Sequence, residues 1–373
     1  MDRDSRSTML TMVVAMIIFV PLAYLCLHLL GDSMFLFSED PHVLWILFLL
    51  SFFAWIFIHT FLHELGHLIF GKLSGYEFLG ISVSGWWLLR GPDCKLRIVH
   101  APMKGAGGAT IMVPRDGYKD DTPYAMFILG GVLMNLLTAT ALFLLIVLDV
   151  WPSMNFFIGM VAILGICMAA VSLVPMTYGS LANDAALLRL FRRDEASKHC
   201  MYFSQRMYLA YLNGTDLANY SEPPPADLPA GNLLAEAVRV NLIEIEIRRG
   251  RYDIAERQTH ELLNDMREES MVRRQAKMHL LLIYAINGAG KETVDAVYDP
   301  DMKKFMHSFA VFDLEAILFL VAYEKRFDAG DVNTDKLVKR FDALLKKTRI
   351  DTAFERSVMD SLLSERREGG SEN

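Results

Sequence analysis

Four long apolar segments constrain this chain more than any other feature of its sequence. They run from about residue 9 to 30, 43 to 70, 123 to 148 and 155 to 175. A helix rises about 1.5 Å per residue, so roughly 20 apolar residues are needed to cross a bilayer core of about 30 Å. The sequence therefore predicts four transmembrane helices. A cleaved signal peptide is the alternative for the first segment, but no small-residue cleavage site follows it.

The distribution of basic residues predicts the orientation of these helices. Residues 31–41 and 149–154 contain no Lys or Arg, whereas residues 71–121 contain seven. Loops that carry the excess of basic residues usually face the cytosol. We therefore expect an integral membrane protein with both termini in the cytosol, and we expect its location to be a bacterial cell membrane.

The loop at residues 71–121 has a pattern of its own. Residues 76–89 mix alternating apolar side chains with glycines, and residues 95–99 and 109–113 also favour short strands. We predict a small membrane-associated β segment on the cytosolic side. An ordinary solvated loop is the alternative.

The chain changes character beyond residue 190. Although 53% of all residues are hydrophobic, the part from Phe191 onward contains 27 basic and 31 acidic residues. No basic face is present there, which argues against a nucleic-acid partner. Helical patterns predict helices at Glu195–Leu212, Asn232–Arg249, 250–266, Arg273–Ile286, Phe309–Tyr323, Asp335–Lys346 and Thr352–Leu363.

Two domains are therefore expected, and the fold class is mainly α. Residues 1–190 form a transmembrane domain, and residues 191–373 form a soluble cytosolic α-helical domain. From about residue 230 the second domain resembles a tetratricopeptide-like, solenoid-like stack, which typically binds a partner protein. A packed α-bundle without a ligand is the alternative.

The second apolar segment ends in a motif that indicates metal chemistry. His63, Glu64 and His67 form the pattern H-E-x-x-H. Residues i and i+4 share one helix face, so both imidazoles can bind one zinc ion while the glutamate reaches a zinc-bound water. Ionisable residues inside an apolar helix are unfavourable unless they are paired or functional. The alternative is that they mark only the polar end of the span, and His59 is expected to support the site rather than to bind the ion.

With this motif the chain resembles the site-2 protease family of intramembrane zinc metalloproteases. That family carries a Gly-Pro-x-x-Asn element in its next core helix, and here Gly131 and Asn135 match it while Val132 replaces the proline. The resemblance implies that Gly131 and Asn135 contact substrate and that Asn135 stabilises the reacting carbonyl. The alternative for Asn135 is a hydrogen bond between helices.

The resemblance also implies a third zinc ligand. The family's last core helix is followed by a Leu-Asp-Gly element whose aspartate binds zinc, and Asp184 stands in the corresponding region. Here Ser172 replaces the family's asparagine, Ala185 replaces its glycine, and the interval from Pro175 to Asp184 is longer than usual. The alternative for Asp184 is an acidic residue that begins a helix.

These expectations combine into one functional hypothesis. The chain is expected to be a zinc metalloendopeptidase that hydrolyses peptide bonds in or near transmembrane segments of other proteins, with Glu64 as its acid and base. Its partners would be the bilayer, a transmembrane substrate and a protein bound by the helical domain. One alternative is an inactive scaffold of the same fold. Another is a di-iron hydroxylase, which needs several histidine clusters where this sequence has one.

Overall fold

A computed structural model of the chain divides into two compact units, Met1–Lys198 and His199–Asn373. The structure describes residues 3–35, 40–91, 95–100, 107–115, 122–178, 181–266, 270–311, 313–327, 329–330, 332–347 and 352–364.

The four apolar segments form four long helices in the first unit. They are α1 (Arg3–Phe35), α2 (Pro41–Leu73), α3 (Ala125–Val147) and α4 (Asn155–Ser172). Each contains a stretch that is long and apolar enough to cross a membrane, as the sequence predicts. Large apolar side chains cover their outer faces; Tyr24 is 71% exposed and Phe53 is 67% exposed. Such surfaces are expected where lipid replaces water as the solvent.

The loop between α2 and α3 contains a four-stranded antiparallel sheet. Its strands are β1 (Tyr76–Val83), β2 (Trp86–Arg90), β3 (Leu96–His100) and β4 (Gly108–Pro114), in the order β3-β2-β1-β4. The sequence predicts this β content, but it does not divide residues 76–89 into two strands. The division falls at Ser84 and Gly85, whose φ angles of 51° and 81° are those of a tight hairpin turn.

Two shorter elements follow the last span. A hairpin whose strands have two residues each, β5 (Thr177–Tyr178) and β6 (Leu181–Ala182), leads into α5 (Asp184–Arg193). This hairpin lies in the interval from Pro175 to Asp184, which is longer than in the site-2 protease pattern. The next helix, α6 (Ala196–Leu212), runs across the boundary between the two units.

The described part of the second unit consists mainly of helices. After α6 these are α7 (Leu233–Arg248), α8 (Tyr252–Asp265), α9 (Met271–Asn287), α10 (Lys291–Asp295), α11 (Pro300–Phe309), α12 (Leu314–Phe327), α13 (Thr334–Lys347) and α14 (Ala353–Ser364). Its core contains the fully buried side chains of Ile243, Leu262, Leu280 and Phe319.

The helix predicted at Phe309–Tyr323 is wrong in its bounds. The structure ends α11 at Phe309 and begins α12 at Leu314. The Asp313 side chain accepts a hydrogen bond from the backbone N–H of Ala316 at 2.9 Å, which is the contact of a helix N-cap. An acidic residue within an apolar run therefore starts a new helix instead of continuing the old one.

Candidate metal centre

Helices α2 and α3 meet at two glycines beside the motif. A Cβ atom added to Gly66 would lie 2.3 Å from the Gly130 carbonyl oxygen, and one added to Gly130 would lie 2.6 Å from the Gly66 carbonyl oxygen. Only glycine permits such an approach, which is typical of small residues at membrane helix contacts. The contact places the histidines of α2 against the backbone and side chains of α3.

The carboxylate of Asp184 comes from a third helix. Asp184 is the first residue of α5, and Asn183 is its N-cap, with Oδ1 accepting from the N–H of Ala186 at 3.1 Å. The Asn183 amide also donates to the Val174 carbonyl at 2.7 Å, and its Oδ1 accepts from the Met176 N–H at 2.9 Å. One asparagine thus ties the end of α4 to the start of α5.

The three predicted ligands meet at one point. Asp184 Oδ2 lies 3.2 Å from His63 Nε2, and Asp184 Oδ1 lies 3.4 Å from His67 Nε2. The two Nε2 atoms are 3.2 Å apart. Zinc bonds of about 2.0–2.1 Å at tetrahedral angles place neighbouring ligand atoms about 3.3–3.4 Å apart. The spacing of the two imidazoles from each other, and of each imidazole from one carboxylate oxygen, is therefore close to that between ligands of one zinc ion.

The charge of the site also suits a cation. The side chains of His63, His67 and Asp184 are only 13%, 11% and 14% exposed. Burial raises the pKa of Asp184, but the two imidazoles lower it by more, so the carboxylate is ionised. Its Oδ2 atom is buried without a hydrogen-bond partner among the described residues. These His and Asp residues could hold a metal ion.

The hydrogen bond of His67 leaves its Nε2 free for an ion. His67 Nδ1 lies 2.9 Å from the Phe127 carbonyl oxygen, which can only accept a hydrogen bond. Nδ1 therefore carries a hydrogen, so in the neutral form of the ring it is Nε2 that would present its lone pair to an ion. Such a partner on the distal nitrogen is typical of metal-binding histidines.

His63 is held by two α3 residues of the predicted motif. The Asn135 amide lies 3.2 Å from His63 Nδ1, and Asn135 is fully buried. A Cβ atom on Gly131 would lie 2.5 Å from Nε2 of the His63 ring. In this structure Gly131 and Asn135 therefore contact a predicted metal ligand, whereas their predicted contact with substrate remains a prediction.

His59 completes a chain of buried polar groups. Its Nε2 donates to the Val161 carbonyl oxygen at 2.9 Å, so its Nδ1 is an acceptor. Among the described residues, neither that Nδ1 nor the Asn135 Oδ1 has a hydrogen-bond partner, although both atoms are buried and the two side chains interact. Rotating the Asn135 amide by 180° exchanges its oxygen and nitrogen. The oxygen would then accept from His63 Nδ1–H, and the nitrogen would donate to His59.

The sheet positions Glu64, the acidic residue of the H-E-x-x-H motif. Glu64 is 6% exposed, and its Oε2 accepts a hydrogen bond from the Thr110 hydroxyl at 2.7 Å. A Cβ atom on Gly108 would lie 2.7 Å from Glu64 Oε1. Strand β4 therefore approaches the carboxylate at a glycine and fixes it with a hydroxyl.

Some supporting residues were not predicted from the sequence. Thr110 and the Phe127 carbonyl carry no sequence signal, because their roles arise from tertiary contacts. Asn183 does carry one, since asparagine directly before a helical pattern is a favoured N-cap. The alternative interpretation of Asp184, an acidic residue that begins a helix, describes its position correctly and is compatible with a ligand role.

Comparisons with known proteins add no further information about this site. No protein-family model, curated protein or solved structure matches the chain. The chemistry is therefore inferred from the geometry of the residues themselves.

Proposed function

We propose that this chain is an intramembrane zinc metalloprotease of the site-2 protease type. The observation that carries the proposal is that His63 Nε2 and His67 Nε2 lie 3.2 Å apart, and that each lies 3.2–3.4 Å from one of the two carboxylate oxygens of Asp184. Two imidazoles and one carboxylate are a ligand set of catalytic zinc sites, in which a fourth position stays open. The two histidines lie on α2, which is long and apolar enough to cross a membrane.

The residues around the ion suit hydrolysis. A bound zinc ion would supply a water whose pKa is near neutrality. With that ion held by His63, His67 and Asp184, the Glu64 carboxylate would serve as the base that takes a proton from water and as the acid that returns it to the leaving amine. The Thr110 hydroxyl holds the carboxylate while this transfer takes place. Because Glu64 is almost fully buried, competing bulk water has little access to it.

Strand β4 offers a place for the substrate. Among the described residues it pairs only with β1, so its second edge is available for an added strand. Its Thr110 contacts Glu64, so a peptide on that edge would pass close to the site. A transmembrane helix hides its peptide bonds in internal hydrogen bonds and must unwind first. Adding it as an extended strand would expose the bond to be cut.

Asn135 has two proposed roles. The family resemblance implies an amide that binds substrate or stabilises the reacting carbonyl. Its complete burial and its contact with His63 Nδ1 favour a role in orienting the zinc ligand. Asn135→Asp keeps an acceptor for His63 but removes the amide donor. Retained zinc with lost turnover would favour the first role, and an Asn135→Leu variant that loses zinc would favour the second.

The remaining parts of the proposal concern location and partners. We propose a bacterial cell membrane with both termini in the cytosol, as the basic loops predict. The unit from His199 onward would then be a cytosolic solenoid-like domain that recruits or regulates partners. Its substrate would be another protein with a transmembrane segment.

One experiment tests the enzyme against the inactive scaffold. The protein and its Glu64→Gln variant are purified in detergent, their zinc content is measured, and each is reconstituted with a panel of single-span membrane proteins. We expect about one zinc per chain in both and cleavage by the wild type alone. If the purified wild type contains no zinc, or if both proteins cleave the substrates equally, the proposal of protease activity is refuted.

A second comparison tests the third ligand. Asp184→Ala should lose zinc, whereas Asp194→Ala, at the other end of the same helix, should retain it. Loss of zinc from both variants, or from neither, would contradict the ligand role of Asp184.

A further inference from the structure

A cavity of about 380 Å³ lies beside α5, at the ends of two apolar helices. One side of it is apolar and the other is basic. Its lining includes Leu129, Leu173, Leu188, Arg189, Arg192 and Arg193. All of these residues belong to the first unit.

The basic side consists of one face of a short helix. Arg189, Arg192 and Arg193 have the spacing i, i+3 and i+4, which places them together on the surface of α5. All three are exposed, and no acidic partner is found for any of them among the described side chains. Arg192 and Arg193 lie in the last turn, where positive charge suits the helix dipole. That effect does not explain Arg189 or the cavity that the three share.

The residues of the apolar side indicate where along the membrane normal the cavity would lie. Leu129 lies in the second turn of α3, and Leu173 directly follows the last residue of α4. Both helices are long and apolar enough to cross a bilayer. The cavity therefore lies at the boundary where apolar spans end and polar surroundings begin. Lipid headgroups and the first carbons of their chains occupy this depth.

We propose that this cavity binds the headgroup of an anionic phospholipid. The three guanidinium groups match the phosphate and the net negative charge, since arginine binds phosphate oxygens through paired N–H donors. The leucines would contact the upper part of an acyl chain. Basic pockets at the ends of transmembrane helices are known to select anionic headgroups. This binding does not depend on the proposed protease activity.

The lipid would bind close to the candidate metal centre. Ala185 also lines the cavity, and it directly follows Asp184 in the first turn of α5. The same short helix would therefore carry a metal ligand at its beginning and lipid contacts along the rest of its length.

Native mass spectrometry of the full-length chain tests the proposal. Phosphatidylglycerol and phosphatidylcholine with identical acyl chains are titrated into the detergent-solubilised protein. One arginine near an anionic surface contributes a factor of about five in affinity. We therefore expect R189Q/R192Q/R193Q to bind phosphatidylglycerol about 100-fold more weakly than wild type. Phosphatidylcholine binding should be weak in both proteins.

A matched control lies on α13 in the second unit. Lys336, Lys339 and Arg340 have the same i, i+3, i+4 spacing and are also exposed. The K336Q/K339Q/R340Q variant should bind phosphatidylglycerol as wild type does. Equal loss in the two triple variants would show a general charge effect and overturn the proposal, as would equal binding of the two lipids by wild type.

Two further measurements keep the result clear. If the triple variant loses its helical circular dichroism, the single variants are compared, and each should weaken binding about five-fold. Glycerol 3-phosphate is added as a competitor without acyl chains. If it displaces the lipid completely at an equal concentration, the site recognises a soluble phosphate and the lipid proposal fails.

Discussion

Replacing Gly66 by alanine should weaken the metal centre without contacting it. The new Cβ would lie 2.3 Å from the Gly130 carbonyl oxygen and 2.6 Å from Met134 Cβ. Neither atom is the end of a flexible side chain that can rotate away. Ordinary contact begins at 3.4 Å, so α2 and α3 must separate by 3.4 − 2.3, or 1.1 Å.

That separation acts on the bonds that hold the histidines. The hydrogen bond from His67 Nδ1 to the Phe127 carbonyl is 2.9 Å long and crosses the same helix pair. A further 1.1 Å would break it, since hydrogen bonds of this type end near 3.5 Å. Loss of such a partner typically weakens metal binding about 10–100-fold. A displacement of about 1 Å can also lower turnover about 100-fold.

Zinc affinity is measured by competition with a chromogenic chelator in detergent. Gly31→Ala is the matched control, because its Cβ would lie 3.4 Å from Leu27 Cδ1, which is ordinary contact in another apolar helix. We expect weaker zinc binding in Gly66→Ala and wild-type binding in Gly31→Ala. Unchanged zinc affinity in a folded Gly66→Ala protein would refute the idea that this helix contact positions the site.

Three further predictions concern other contacts. Thr110→Val should lower kcat about ten-fold while bound zinc stays unchanged, because it removes the hydroxyl that holds the glutamate of the motif; lost zinc would contradict this. Asn183→Ala removes an N-cap, which typically contributes about 1 kcal/mol, and should lower zinc affinity in the chelator assay; wild-type affinity would show that the cap does not position α5. In the second unit, burial lowers the pKa of His279, but the Glu315 carboxylate raises it by more, so the net shift is upward. Burial and the Glu315 carboxylate both raise the pKa of Asp313. A group whose pKa is raised on folding favours the folded state at low pH, and this contribution is lost as the pH rises through the raised pKa. Hydrogen exchange in α9 and α12, corrected for intrinsic rates, should therefore be slower at pH 6 than at pH 8. The opposite order would show that these shifts do not govern local stability.

Local sequence patterns predict much of this fold because they act over short distances. Unbroken apolar runs determine α1 to α4, since a bilayer demands both length and internal hydrogen bonding. Alternation predicts the strands, but the turn at Ser84 and Gly85 depends on backbone angles that alternation does not encode. The break at Asp313 was missed for a similar reason. There one side-chain cap outweighs the apolar residues on either side.

In the candidate site, too, local sequence patterns predict some features, whereas others depend on tertiary packing. The spacing of His63 and His67 follows from helix geometry and needs no tertiary information. Asp184 is suggested by resemblance, by being the only acidic residue between Val150 and Phe191, and by the direction of the fourth span. Its meeting with the histidines depends on the hairpin β5–β6 and on the Asn183 cap. Thr110 lies on a strand that contacts α2 only in the folded chain. Long-range packing of this kind leaves no periodic pattern in a single sequence.

The distribution of the ligands along the chain has a consequence for biosynthesis. His63 and Asp184 are separated by 184 − 63, or 121, residues, and α3 and α4 lie between them. A nascent chain that has emerged only as far as α4 contains His63, Glu64 and His67 but not Asp184, the third candidate ligand. A bound ion would therefore join α2 to α5 only after the last apolar helix has been inserted. The proposed hydrolytic activity would accordingly be acquired at the completion of membrane insertion rather than during it.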